Sequence, residues 1–241
     1  MSSVSSEALR ALRLMQELAL ETVDQVLPKS YAAEDARRTR LAASRFFDGL
    51  TEFASAPTSY IRNEEVFGEG EPAEYIYKIE TGCIQTYNTL ANGRRKIRAF
   101  YLPGDCVGLE AQNDYDCCAQ AVTVSSALAI NRKTLILHAE RDISLLQQLL
   151  KLTSMDLRQA RNHNKIMHKG AQERVIEFFL EMKRRNQGRD EFDLPMSRLD
   201  IADYLGLSIE TVSRVFTRLK AACAISMPKS RRVILRNISL D

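Results

Sequence analysis

Residues 196–220, MSRLDIADYLGLSIETVSRVFTRLK, hold two helical patterns separated only by Gly206-Leu207-Ser208. This stretch constrains the fold most, because helices joined so tightly must cross at close range. Ser197 is placed to cap the first helix, and Ile201, Ala202 and Leu205 form its inward side. Ala202 is small enough to let a second helix approach. Gly206 sits where the chain must turn sharply, and glycine tolerates positive φ there. Leu207 fills the gap between the helices. Ser208 is a good N-cap for the second helix, whose apolar stripe is Val212, Val215, Phe216 and Leu219. Glu210, Ser213 and Arg214 stand at i, i+3 and i+4 and so share the opposite, outward face.

This pattern predicts a helix-turn-helix whose second helix enters a major groove with its first turns against base edges. Arg214 can donate two bonds to guanine O6 and N7, and Glu210 can accept from cytosine N4. Ser213 can reach a base or a phosphate. Ser208, Ile209, Thr211 and Arg218 complete the candidate DNA-facing set on this helix. The basic turn with Lys229, Arg231 and Arg232 is expected to clamp phosphates as a wing, positioning the protein without reading sequence. Charge agrees with this reading. From Lys169 onward there are 14 Lys and Arg against 10 Asp and Glu, and from Arg214 onward seven against one. The competing readings are a helical hairpin with a surface ion pair, a protein-docking module that does not bind DNA, and a solvated basic tail.

The remaining chain reads as α+β. Helical spacing is expected over 5–27 and 33–53, within an N-terminal helical segment 1–56. From Tyr60 to Lys133 the runs YIYKI, CIQTYN, KIRAFYL, AQAVTV and ALAIN alternate with turn signals at Gly68-Glu69-Gly70, Gly82, Asn92-Gly93 and Pro103-Gly104. Such spacing indicates an antiparallel sandwich or barrel, assigned to residues 57–142. A helix follows over 143–167. Its Leu145, Leu149 and Leu152 step as a heptad seam, with Met155 taking over where Asp156 breaks it. The seam suits pairing between two chains as well as packing on the chain's own barrel. The last domain is 168–241, in which the polar stretch 182–192 separates two helical patterns and AISMPKSRRVILRN forms two short strands around a basic turn.

Several functions are disfavoured. No apolar run reaches the roughly 20 residues of a membrane helix, and the N-terminal pattern is broken by acids and arginines, so a cytoplasmic protein without a membrane partner is expected. Five cysteines at these spacings form neither a disulfide framework nor a zinc knuckle. No histidine occurs between Tyr60 and Lys133, which argues against a metalloenzyme barrel, and no Gly-rich phosphate loop or Ser/His/Asp arrangement is recognisable. The chain is not expected to be an enzyme.

Residues 196–220 resemble the DNA-binding segment of the CRP/FNR superfamily of bacterial transcription factors. GEPAEYIYKIETGCIQTYNTLANGRRKIRAFYLPGDCVGL is similar to the family's cyclic-nucleotide-binding-like β-roll, and GAQERVIEFFLEM to the start of its C-terminal domain. The Glu210, Ser213 and Arg214 pattern is similar to the FNR/FixK branch; the CRP branch usually has Arg and Gly at the positions of Ile209 and Ser213. The resemblance implies a homodimer formed through the helix after the β-roll, double-stranded DNA bearing an inverted repeat of TTGA-type half-sites, and RNA polymerase as a further partner of an activator.

The resemblance also bears on ligands. Cyclic nucleotide phosphates need an Arg-Ser or Arg-Thr pair where this chain has Tyr115 and Asp116, and Glu110 falls near the ribose-binding position. An iron–sulfur cluster needs four thiolates, but no cysteine precedes Cys83 and one ligand position falls on Leu128. No cofactor and no metal site are therefore expected. Cys117, Cys118 and Cys223 are redox candidates; for the adjacent pair Cys117 and Cys118 the favoured reading is two small residues on a β-roll edge. A haem- or redox-dependent regulator of the same superfamily, responding to nitric oxide or oxygen, is the alternative; His138, His163 and His168 are the histidines available to it.

Overall fold

The computed structural model describes residues 54–110 and 112–236; the helices expected over 5–27 and 33–53 lie outside them. The elements in chain order are β1 (Thr58–Tyr60), β2 (Glu65–Phe67), β3 (Tyr75–Thr81), β4 (Ile84–Thr89), β5 (Arg95–Tyr101), β6 (Cys106–Val107), β7 (Cys118–Ala121), β8 (Ser125–Asn131), α1 (Arg132–Ala139), α2 (Ile143–Met167), α3 (Ala171–Arg185), β9 (Glu191–Asp193), α4 (Arg198–Leu205), α5 (Ile209–Ala221), β10 (Ile225–Ser226) and β11 (Arg232–Leu235). They form two compact units. One comprises 54–84 and 101–159, the other 85–100 and 160–236.

The first unit is an antiparallel β-roll. One sheet runs β1-β8-β3-β6, and β2 pairs with β7. Inward residues alternate along the strands and close over Ile79, Ile84, Val107, Ala119, Ala121 and Ala127. The small alanines leave room for aromatic rings, and Phe67 stacks on Tyr115 with centroids 3.7 Å apart. Gly82 makes the turn after β3 possible. Its φ is +82°, and a Cβ there would lie 2.3 Å from Ser125 Oγ and 2.4 Å from the Val124 carbonyl, so no other residue fits.

Helix α1 does not show in the strand-period reading, which runs to Lys133. Asn131 ends β8 and caps α1, its side-chain oxygen accepting the Thr134 N–H at 3.1 Å. Eight residues are too few to register a helical period, and the cap was the available signal. Leu135 and Ala139 of α1 join Ile76, Cys106, Ile130 and Leu145 in a second core cluster.

Helix α2 is continuous over the expected span. Leu145 is only 6% exposed and packs within its own chain, the option the seam pattern left open. Leu149 and Leu152 lie half-buried against the same cluster. Met155 is half-buried, and Leu150 is 38% exposed.

In the second unit β4 and β5 form a hairpin, closed by the Leu90 N–H donating to the Arg94 carbonyl at 2.8 Å. The polar stretch 182–192 does lie between two helices, α3 and α4, but it is not all connection. Helix α3 continues to Arg185, and Glu191–Asp193 is the third strand of a sheet ordered β10-β11-β9. Phe192 is the reason: it is buried opposite Val233, and a three-residue strand becomes stable only through that long-range pairing.

Candidate nucleic-acid interface

The helix-turn-helix is built from local bonds that the sequence anticipates. Ser197 Oγ accepts the Asp200 N–H at 3.1 Å, and Asp200 Oδ2 accepts the Ser197 N–H at 2.8 Å, a reciprocal cap. Ile201, Ala202, Tyr204 and Leu205 are buried. Gly206 ends α4 with φ +62°, where its N–H and that of Leu207 both donate to the Ala202 carbonyl. Arg174 Nη1 donates to the Leu205 carbonyl at 2.9 Å, satisfying a carbonyl at the end of the helix.

Ser208 caps α5, its Oγ accepting the Thr211 N–H at 3.2 Å. Val212, Val215, Phe216 and Leu219 are buried as expected, and Phe216 packs on Phe179 with centroids 5.0 Å apart. Ile209, Glu210, Arg214 and Arg218 are exposed, while Thr211 and Ser213 are half-buried. Arg214 Nη2 donates to Thr211 Oγ1 at 3.3 Å, and the Thr211 and Ser208 hydroxyls lie 3.1 Å apart. The Glu210 carboxyl is held below its ordinary range by its own backbone N–H and by the Ser208 hydroxyl, with a smaller pull from Arg214. An ionised acceptor and a guanidinium donor therefore stand together on one uncovered face.

Behind α5 the chain turns through Cys223, whose φ is +54°. The Cys223 N–H donates to the Lys220 carbonyl and the Ala224 N–H to the Leu219 carbonyl, both at 3.0 Å, which is the bonding of a helix stop that glycine usually provides. Cys223→Gly is expected to stabilise the protein by about 0.5–1 kcal/mol, measured by denaturant unfolding. A loss of stability would show that the thiol has a packing role that outweighs the strain.

The wing residues differ from one another. Lys229 is exposed in the β10–β11 turn. Arg231 Nη1 donates to the Pro195 carbonyl at 2.9 Å and fastens that turn to the body of the unit. Arg232 pairs with Glu191 at 2.6 Å and Asp193 at 3.5 Å, and the Glu191 hydrogen bond raises its pKa. The sequence reading treats Lys229, Arg231 and Arg232 as one clamp. Arg232 has its partners because β9 brings Glu191 and Asp193 alongside β11, and Arg231 has its own in the Pro195 carbonyl.

In the β-roll the position expected to meet a phosphate is filled by Tyr115, a buried ring whose hydroxyl donates to the Tyr75 carbonyl at 2.7 Å; Asp116 beside it is exposed. Leu128 is buried. Of the redox candidates, Cys117 is buried, Cys118 is half-buried and accepts the Glu69 N–H at 3.3 Å, and Cys223 is exposed. Sequence reasoning missed Arg132. Its guanidinium is buried and donates to the carbonyls of Ala73 at 2.8 Å, Gln112 at 3.1 Å and Glu110, tying these three residues to the start of α1. An arginine as first residue of a helix after a strand carries no local sign of burial. His163 stacks on Tyr204 with centroids 4.2 Å apart. Burial, with the nearby charges of Lys96 and Arg174, lowers its pKa to about 4 and keeps it neutral.

A β-roll and a winged helix-turn-helix with an uncovered acid–hydroxyl–arginine face define a DNA-binding transcription regulator. Residues 57–141 match the cyclic nucleotide-binding domain family, and residues 173–239 match the Crp-like helix-turn-helix domain family. The chain is 40% identical over 189 residues to the nitrogen fixation regulation protein FixK of Azorhizobium caulinodans, covering 76% of each chain. It is 31% identical to the transcriptional activator protein anr of Pseudomonas aeruginosa over 221 residues, 89% of this chain and 86% of that one. The structure of FixK2 from Bradyrhizobium japonicum superposes with a TM-score of 0.73 at 40% identity, covering 76% of this chain and 93% of FixK2. The chain belongs to the CRP/FNR superfamily of transcription regulators, on its FixK/FNR branch.

Proposed function

We propose that the protein binds, as a homodimer, an inverted repeat of TTGA-type half-sites and activates transcription there through contact with RNA polymerase. The observation that carries this is the exposed face of α5, where Glu210, Ser213 and Arg214 stand within the first turns of a capped helix. Arg214 takes the guanine of each half-site and Glu210 the exocyclic amine of a cytosine. Ser208, Ile209, Thr211, Arg218 and Lys229 flank that reading head, and Lys229 offers an exposed cation to phosphate. Two copies of α5 spaced ~34–36 Å apart meet successive turns of the same groove. A β-roll whose phosphate position is closed by Tyr115 supports regulation without a cyclic nucleotide, in a cytoplasmic protein that is not an enzyme. Cys223 is the exposed thiol nearest the reading helix and the redox candidate that best fits such control.

A mobility-shift titration tests the reading directly. Binding should require the TTGA-type palindrome and fall steeply with salt. Equal affinity for a scrambled duplex would return the helix-turn-helix to a docking role. Pairing runs along α2, with Leu149, Leu152 and Met155 contributing their uncovered edges and Leu145 supporting the helix from within. Leu150→Glu is expected to convert the dimer to monomer in sedimentation, because it puts a charge on the exposed apolar side of that helix. A dimer that persists in both Leu150→Glu and Met155→Glu removes this side of α2 from the interface.

A further inference from the structure

Within the first unit the β-roll, α1 and α2 leave a groove between them. It is mainly apolar, lined by Ile76 of β3, Leu109, Leu135 of α1, and Leu146, Leu149 and Leu150 of α2. Leu150 is 38% exposed, and Leu146 and Leu149 are only half-buried. Leucines left part in water along one wall lose the free energy that a cover would return, so such a groove marks a contact surface.

The chain itself arrives there. Ala54, the first described residue, bridges Ile130, and the Ser55 N–H donates to the Ala129 carbonyl at 2.9 Å, so the backbone is fixed beside β8. Ala54 packs against the core cluster that holds Ile76 and Leu135, and Leu109, Leu146 and Leu149 pack against the same cluster. Residue 53 is therefore joined directly to the groove's own surroundings. The sequence that ends there is LAASRFFDGLTEF, residues 41–53. Its Phe46, Phe47, Leu50 and Phe53 stand at i, i+1, i+4 and i+7, the anchor spacing of a helix laid in an apolar groove. The lengths agree as well. The wall of the groove on α2 runs from Leu146 to Thr153 and the anchors from Phe46 to Phe53, each about 10 Å along a helix axis.

We propose that this groove is the docking site of the chain's own residues 41–53, with Phe46, Phe47, Leu50 and Phe53 as the side laid into it. A segment joined to Ala54 without a linker is held at high effective concentration over the groove. A second copy or a separate molecule must also lose its translational and rotational freedom to reach the same place. The contact is made within one chain and is independent of pairing along α2. Docking would fasten the start of the chain to α1 and α2 and withdraw their apolar wall from water.

The full-length protein carrying Phe47→p-benzoylphenylalanine is irradiated as a mixture of light-nitrogen and heavy-nitrogen chains, under conditions where native mass spectrometry shows any dimers to be exchanged. Peptide mapping should join residue 47 to peptides from 132–153, light to light and heavy to heavy. Light-to-heavy cross-links would give the groove to a second copy. Cross-links that avoid residues 76, 109 and 132–153 would leave it to some other molecule. Either result overturns the proposal. Phe46→Asp/Phe47→Asp puts two charges on the docked side, and trypsin should then cut after Arg45 several-fold faster than in the wild type, while sites in the second unit are cut at the wild-type rate. An unchanged rate at Arg45 would overturn the docking too.

Discussion

Arg214→Ala is expected to weaken binding to a TTGA-type palindrome by about 1–3 kcal/mol per half-site, and to leave binding to scrambled DNA nearly unchanged. The two effects separate because they have different physical sources. Specific affinity depends on a guanidinium offering two parallel donors to guanine O6 and N7, and alanine leaves both acceptors facing an apolar methyl. Non-specific affinity depends on the summed charge facing the DNA backbone, to which, on the proposed function, Lys229 and Arg218 would also contribute. The Thr211 hydroxyl, 3.1 Å from that of Ser208, accepts a hydrogen bond from Arg214 in the free protein, which on the proposed role would lower the ordering cost of binding. Arg214 is exposed, so the variant should keep its helix content and thermal stability. Titrations of wild type and variant against matched, single-mismatch and scrambled duplexes read the difference. A variant that retains both affinity and base preference would falsify the role given to this side chain. Lys229→Ala offers the contrast, with a similar loss on every duplex and a shallower salt slope.

Phe216→Ala should act through the opposite face of the same helix, lowering stability by about 3–5 kcal/mol. The ring is 1% exposed, packs on Phe179 and lies under the Arg198 guanidinium at 5.4 Å. Its loss leaves a cavity beside Phe179 of α3 and Arg198 of α4 that the surrounding backbone closes only in part. For a chain of this length unfolding as a whole, that corresponds to a fall in melting temperature of roughly 6–20 °C. DNA binding should fall with it on all duplexes alike, unlike Arg214→Ala. Phe216→Leu keeps part of the volume and should fall between. A Phe216→Ala protein that melts with the wild type would mean that the helix-turn-helix is held by something other than this aromatic contact.

The reading face and its support were legible because their signals are local. Ser197, Gly206 and Ser208 act on backbone groups within four residues of themselves. The stripe Val212, Val215, Phe216, Leu219 is a period that one helix expresses alone. The same holds for the glycine turns of the β-roll. What escaped was set by distant partners. Phe192 becomes a strand residue only opposite Val233. Arg232 is paired with Glu191 and Asp193, which lie about forty residues earlier in the chain. Leu145 fits a seam and a core equally well until α1 and β3 are in place beside it.

Sequence alone therefore settled the helix-turn-helix, its caps, its turn and the outward trio Glu210, Ser213 and Arg214, since each rests on hydrogen bonds and periodicity confined to a few consecutive residues. The tertiary structure decided which wing cations are paired within the chain and that Arg132 lies buried among carbonyls. Those outcomes depend on which strands pair and which loops close, and pairing brings together groups whose separation along the chain carries no information about their separation in space.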